Sequence, residues 1–330
     1  MVPAIRNRTL KSLSRAGIGL MAVICILSAG FIVLCWAPDR PVSALRERWA
    51  PPPSQFIDVM GMQVHLRDEG LRDDPLPIVL LHGTSASLHT WDGWVAGLVT
   101  KRRVIRMDLP GFGLTGPFPD GMNDAGDYTV AHYVQFIDAL LTNLGVTRCI
   151  LAGNSFGGQI AIATALARPQ RVEKLILIDS AGYPLAPASI PIGFRLARIP
   201  ILNRILEVTL PRSVVEDSAR NVYGDPTRVT TKIVDRYFDL TLRAGNRRAL
   251  VERLKQVSVD ALTEQIPNVK IPTLILWGRR DRLIPAEAAE RFHRDIVGSR
   301  LILFDDLGHV PQEEDPQRTL AAAKEFLGIP

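Results

Sequence analysis

A chain of 330 residues that is 47% hydrophobic and 22% charged has the length of one large domain or two small ones and an ordinary globular balance, which excludes a disordered polymer or a collagen-like fibre. Three cysteines neither build a disulfide framework nor complete a four-thiolate zinc site. The formal charge of +5 sits at the front: residues 1–50 hold seven Lys/Arg against Asp39 and Glu47, so the remainder is neutral and carries no broad nucleic-acid footprint.

The first predicted element is a membrane span. After a basic leader over residues 1–15, Ala16 to Trp36 is a run of 21 residues without a charge. As a helix it would cover about 31 Å, the thickness of a bilayer core. Arg6, Arg8, Lys11 and Arg15 precede it with no acidic residue among them, so the positive-inside rule puts the N-terminus in the cytoplasm and the body outside. No small-x-small cleavage site with a polar mature start follows, which favours an uncleaved anchor over a signal peptide. Residues 37–54, rich in Pro and charge, read as a tether.

The body, residues 55–330, begins with two alternating runs around Gly61, the pattern of a β-hairpin. Four short apolar runs follow, at 77–83, 102–110, 148–154 and 174–180, with helical stretches between them, and two more stand at 273–278 and 300–306. Strands that are apolar throughout and separated by helices imply a mostly parallel sheet with helices on both faces. Residues 181–272 interrupt the series with helical periodicity and no apolar strand, so they read as a helical cap.

Chemistry concentrates at Gly153-Asn154-Ser155-Phe156-Gly157-Gly158, which follows one predicted strand and precedes a helix-forming run. A sharp turn there needs small residues at Gly153 and Gly157, and it lifts the Ser155 hydroxyl over the sheet edge. The Phe156 N–H, in the first helical turn, is free to meet an oxyanion. The bland alternative is a plain Gly-rich strand-to-helix turn. A serine hydroxyl needs a base and the base needs an orienting carboxylate. Of six histidines, His65, His82, His89, His132 and His293 lie in the hairpin, near the first parallel strand or in helical runs, while His309 alone follows the last strand on a Gly-containing loop. Asp281, just past the strand at 273–278, is the candidate acid, with Asp179 at the end of the preceding strand as its rival. The chain order Ser155, Asp281, His309 suits a hydrolase triad. The second oxyanion donor is expected after His82-Gly83, from the Thr84 N–H, with Ser85 as the weaker choice.

These pieces resemble the α/β-hydrolase fold superfamily from about Phe56 to Gly328. The shared motifs are His82-Gly83, Asp108-Leu109-Pro110-Gly111-Phe112-Gly113, the turn at Ser155, Trp277 to Pro285 around Asp281, and Gly308 to Pro316 around His309. The Ser155 turn is similar to that of meta-cleavage product hydrolases, which split C–C bonds in vinylogous diketones. Those enzymes carry Trp directly after the base histidine, whereas Val310 stands here. Serine in place of an aspartate nucleophile departs from epoxide hydrolases and haloalkane dehalogenases. The resemblance implies a cofactor-independent serine hydrolase. Cleavage of a carboxylic ester or similar acyl substrate is the first expectation, with C–C hydrolysis as the alternative. A ligand-binding receptor that keeps the fold is the non-enzymatic one.

Gly111 to Gly116 fits the dinucleotide fingerprint G-x-G-x-x-G, but Pro117 and Pro119 follow at once and deny the loop the helix that pyrophosphate binding needs. No cluster with metal-ligand spacing stands out in the sequence, and the chemistry expected needs neither metal nor cofactor. The cap run from Ile190, with Arg195, Arg198 and Arg204 interspersed, reads as a stripe packed on the body or an interfacial lid.

Overall fold

The computed structural model describes residues 17–23, 26, 30, 33–119, 126–184, 207–256 and 260–330. Strand β1 (Gln55–Val59) turns through Met60 and Gly61 into β2 (Met62–Gly70). Both turn residues have positive φ, 54° and 78°, as a two-residue hairpin turn that follows strand twist requires. The strands β3 (Ile78–Leu81), β4 (Arg103–Met107), β5 (Cys149–Asn154), β6 (Val172–Ile178), β7 (Thr273–Gly278) and β8 (Arg300–Phe304) complete an eight-stranded sheet in the order β1-β2-β4-β3-β5-β6-β7-β8. β1 and β2 are antiparallel additions, and β4 through β8 run parallel.

Because side chains alternate across a strand, each apolar run feeds two cores. Val79, Leu81 and Leu151 face one core, with Tyr133, Phe136 and Ile160 from helices α2 (Val130–Asn143) and α3 (Phe156–Ala167). Ile78, Leu80 and Ile150 face the other, with Trp91, Trp94 and Leu320, the last from helix α8 (Pro316–Leu327). Burial on both faces explains why the strands lack a polar edge in the sequence. The interruption expected at 181–272 does lie between β6 and β7, and its described part carries helices α4 (Arg212–Val222), α5 (Thr231–Thr241) and α6 (Asn246–Gln256). Arg195, Arg198 and Arg204 lie outside the described residues. Helix α7 (Glu287–Asp295) follows β7.

The N-terminal region departs from expectation in two ways. Much of Ala16–Trp36 lies outside the described residues, and among the described residues no helix is long and apolar enough to cross a membrane, so the predicted span finds no support there. The stretch read as a tether instead contains a helix, α1 (Val42–Trp49), with Leu45 and Trp49 buried. Trp49 Nε1 donates to Asp239 of α5 at 2.9 Å, and Arg40 and Arg48 reach the same carboxylate at 2.8 and 3.0 Å. Just upstream the backbone clasps the cap: Ala37 N–H donates to Val208, Leu210 N–H to Cys35, and Arg40 exchanges bonds with Leu242 and Ala244. Partners 171 to 204 residues away in the chain fixed this segment, which composition alone could not report.

Candidate active site

The carboxyl ends of β3, β5, β6, β7 and β8 lie at one edge of the sheet, where open α/β sheets gather their functional loops. Ser155 follows β5 with φ 54° and ψ −119°, a strained conformation for a residue with a Cβ, of the kind that clusters at functional sites. Close packing enforces it. A Cβ on Gly153 would fall 2.3 Å from the Gly157 carbonyl oxygen, and one on Gly157 would fall 2.3 Å from that of Leu81. Both glycines are therefore demanded by approach of backbone to backbone, as the sequence suggested. The Ser155 N–H donates to Ile178 and its carbonyl accepts from Ala181, so the turn is fastened to the end of β6. Ser155 then leads into α3, whose first residue is Phe156.

His309 and Asp281, 28 residues apart, meet in a buried pair. His309 Nδ1 lies 2.6 Å from Asp281 Oδ2, and Asp281 Oδ1 accepts the N–H groups of Leu283 and Ile284 at 2.7 and 3.0 Å. The carboxylate is thereby aimed at one ring nitrogen of His309, leaving Nε2 as the working one. Asn154, beside Ser155, donates from Nδ2 to the His309 carbonyl at 2.9 Å, which draws the histidine loop up to the serine turn. Asp179 also belongs to this group, since its carboxylate, that of Asp281 and the His309 ring have ligand atoms within 4.8 Å of one another. Burial and then the Asp281 charge push the Asp179 pKa well above the carboxylate range, so it is the neutral partner of a carboxyl pair. These three offer metal-type donors, but the Asp281 oxygens and one Asp179 oxygen already accept hydrogen bonds from His309, Leu283, Ile284 and Gly278. That occupation fits a hydrogen-bonded triad and not a cation cage.

The remaining wall comes from the loop after β3. His82 is fully buried, with Nδ1 2.8 Å from the Gly83 carbonyl and Nε2 accepting the Leu109 N–H at 2.9 Å. Burial lowers its pKa, and this neutral imidazole pins the loop to the strand beside it. A Cβ on Gly83 would lie 3.1 Å from the Ser155 Cβ, so the loop passes next to the serine at Gly83, one residue before Thr84. Gly83 and Phe156 thus adjoin Ser155 from two elements. The Gly111–Gly116 segment closes on itself as a turn, with the Gly111 N–H donating to the Gly116 carbonyl, and opens no helix. His65 is buried against Asp108 at 2.7 Å and Ser54 at 2.9 Å, away from Ser155. Burial raises and the His65 contact lowers the Asp108 pKa, the lowering prevailing, and Asp108 also accepts from Leu88 and Leu114 as a loop organiser.

Three contributors were not visible in the sequence. Asn154 is one, though its place beside Ser155 was a signal. Glu314 is buried and accepts three backbone N–H groups, those of Gly308, Gly224 and Asp225, at 2.8 to 2.9 Å, joining the histidine loop to the end of α4. The His309 N–H donates to Val222 of α4 at 2.7 Å. Arg253 of α6 reaches the Thr84 side chain, Nη2 to Oγ1, at 2.8 Å, and nothing in its local sequence sets it apart from its basic neighbours.

A family model described as alpha/beta hydrolase fold matches residues 77–316. An uncharacterized protein of Mycobacterium tuberculosis is 30% identical over 292 residues, covering 84% of this chain and 82% of that protein. The 2-hydroxy-6-oxo-2,4-heptadienoate hydrolase of Pseudomonas putida is 29% identical over 279 residues, covering 81% of this chain and 93% of that enzyme. Among solved structures, a membrane phospholipase A described as a bacterial virulence factor is similar in fold over 98% of both chains, with a TM-score of 0.68 and 22% identity.

Proposed function

The chain belongs to the alpha/beta hydrolase fold family, and we propose that it is a serine hydrolase that cleaves a carboxylic ester or similar acyl substrate through an acyl-enzyme. Ser155 attacks the carbonyl, and His309 takes its proton and then delivers it to the leaving alkoxide. Asp281 holds the imidazole in its working tautomer and faces the imidazolium that forms. The N–H groups of Phe156 and Thr84 bind the tetrahedral oxyanion. Water, activated by His309, then releases the acid. The observation that carries this reading is the 2.6 Å contact of His309 with Asp281 beside a serine held in a strained turn. The scheme uses no cofactor.

Ester cleavage is favoured over C–C cleavage by the surroundings of the histidine. Val310 packs into an apolar cluster with Ala219, Tyr223, Val229 and Val234, so the position after the base serves cap packing. The relatives include a dienoate hydrolase, which keeps C–C hydrolysis with the same residues as the second reading. The deciding measurement compares 4-nitrophenyl acyl esters with 2-hydroxy-6-oxodienoates. The esters should lead in kcat/KM by about a hundredfold, a difference of about 2.7 kcal/mol in transition-state binding, and the opposite order would assign the chain to C–C hydrolysis. Failure of both substrate classes to give multiple turnovers would favour a ligand-binding role. We further propose that Ala16 to Trp36 anchors the protein in a membrane with the catalytic body outside the cytoplasm, supported by the uncharged run and the basic residues before it.

A further inference from the structure

Arg253 is 5% exposed and sits between the two proposed oxyanion donors. Its Nη2 bonds the Thr84 hydroxyl at 2.8 Å, and its guanidinium lies 4.2 Å from the centre of the Phe156 ring. Its Nε is buried without a hydrogen-bond partner, and no acidic side chain among the described residues forms an ion pair with it. The other buried cap arginines differ: Arg236 has Glu313 and Arg247 has Asp39. Burial lowers the Arg253 pKa, opposed only by the Tyr133 hydroxyl, yet a guanidinium stays charged in a protein. A desolvated cation without a counter-ion is costly, and the aromatic face and one hydroxyl compensate only in part. An incoming anion would supply the missing charge, and the planar fork of a guanidinium suits a carboxylate or phosphate.

We propose that Arg253 is the anion-binding element of the substrate pocket, and that the substrates are acyl esters carrying a carboxylate or phosphate near the scissile carbonyl. This rests on the ester-hydrolase reading.

The test uses two matched pairs on the full-length protein: mono-4-nitrophenyl glutarate against 4-nitrophenyl pentanoate, and 1-acylglycerol 3-phosphate against 1-acylglycerol. The wild type should prefer the anionic member of at least one pair, the first indicating a soluble carboxylate and the second a lipid phosphate. In Arg253→Met the anionic-to-neutral ratio of kcat/KM should fall about thirtyfold, the size expected for a lost charged hydrogen bond. Arg253→Lys should recover part of it. An unchanged ratio with both members slowed together would overturn the proposal and assign Arg253 to the oxyanion. If neither ester pair turns over, the ester reading fails, and calorimetry still decides the subsite: glutaric acid mono-4-nitroanilide should bind the wild type more tightly than Arg253→Met by about tenfold or more. Equal binding would overturn it.

Discussion

Asp179 and Asp281 end neighbouring strands and crowd the same imidazole, and like charges in one buried site cannot both ionise. Asp281 has the His309 contact and two backbone donors, whereas Asp179 has a single one, the Gly278 N–H. Replacing Asp281 by Asn should therefore lower kcat on the order of 10⁴ through the wrong tautomer, while Asp179→Asn should cost far less. Equal or reversed losses in variants of equal Tm would transfer the acid role. Asp179 also predicts a pH effect. Its folded pKa is raised, so the folded chain binds a proton that the unfolded chain releases above the ordinary carboxyl range, and stability falls as pH rises toward the folded value. Asp179→Asn lacks that loss. Its Tm should gain on the wild type between pH 5 and pH 8, and calorimetric melting at both values checks it. Ser155→Ala should lower kcat by about 10⁴ or more and abolish fluorophosphonate labelling. The proposed triad was readable because a nucleophile turn, a post-strand acid and a post-strand histidine each carry local signatures. Arg253 was not, because its meaning comes from the lack, among the described residues, of a counter-charge in three dimensions.

Among elements, the histidine loop is held by the short segment that follows it. Glu314 satisfies one N–H of that loop and two of the chain leaving α4, a buried carboxylate whose removal orphans three donors. Glu314→Ala should destabilise the protein by about 3 kcal/mol or more, at roughly 1–3 kcal/mol per unsatisfied buried group, and denaturant melts measure it. Glu314→Gln retains an acceptor and should lose less. If the two variants were equally stable, the loop would owe its place to other contacts. Strands and most helices of the body were legible for the opposite reason to Glu314, since an apolar run or a 3.6-residue stripe is a local property. The helix α1 escaped because it lies between Pro41 and Pro51 and is stabilised by Asp239 and the face of α5, far away in sequence.

At the scale of the whole molecule, the anchor proposal makes a topological prediction. A phosphatase fused after Pro330 should be active outside the membrane, because Arg6, Arg8, Lys11 and Arg15 precede the uncharged run. A fluorescent reporter folded in the cytoplasm and protected from protease in spheroplasts would contradict it. The clasp of residues 35–40 on the chain around Val208 and Leu242 bears on how the enzyme can be prepared. The natural place to cut a soluble version is before β1, at the end of the proline-rich stretch, yet that cut strips Leu45 and Trp49 from their cluster with Leu114 and Leu240. A chain beginning at Gln55 should melt lower than one beginning at Val33 by about 5 °C or more, given the usual cost of emptying a buried tryptophan site. Residues 35–49 are thus a handle on the cap: a pull on the chain at Cys35 is carried through α1 to α5 by the Trp49–Asp239 bond.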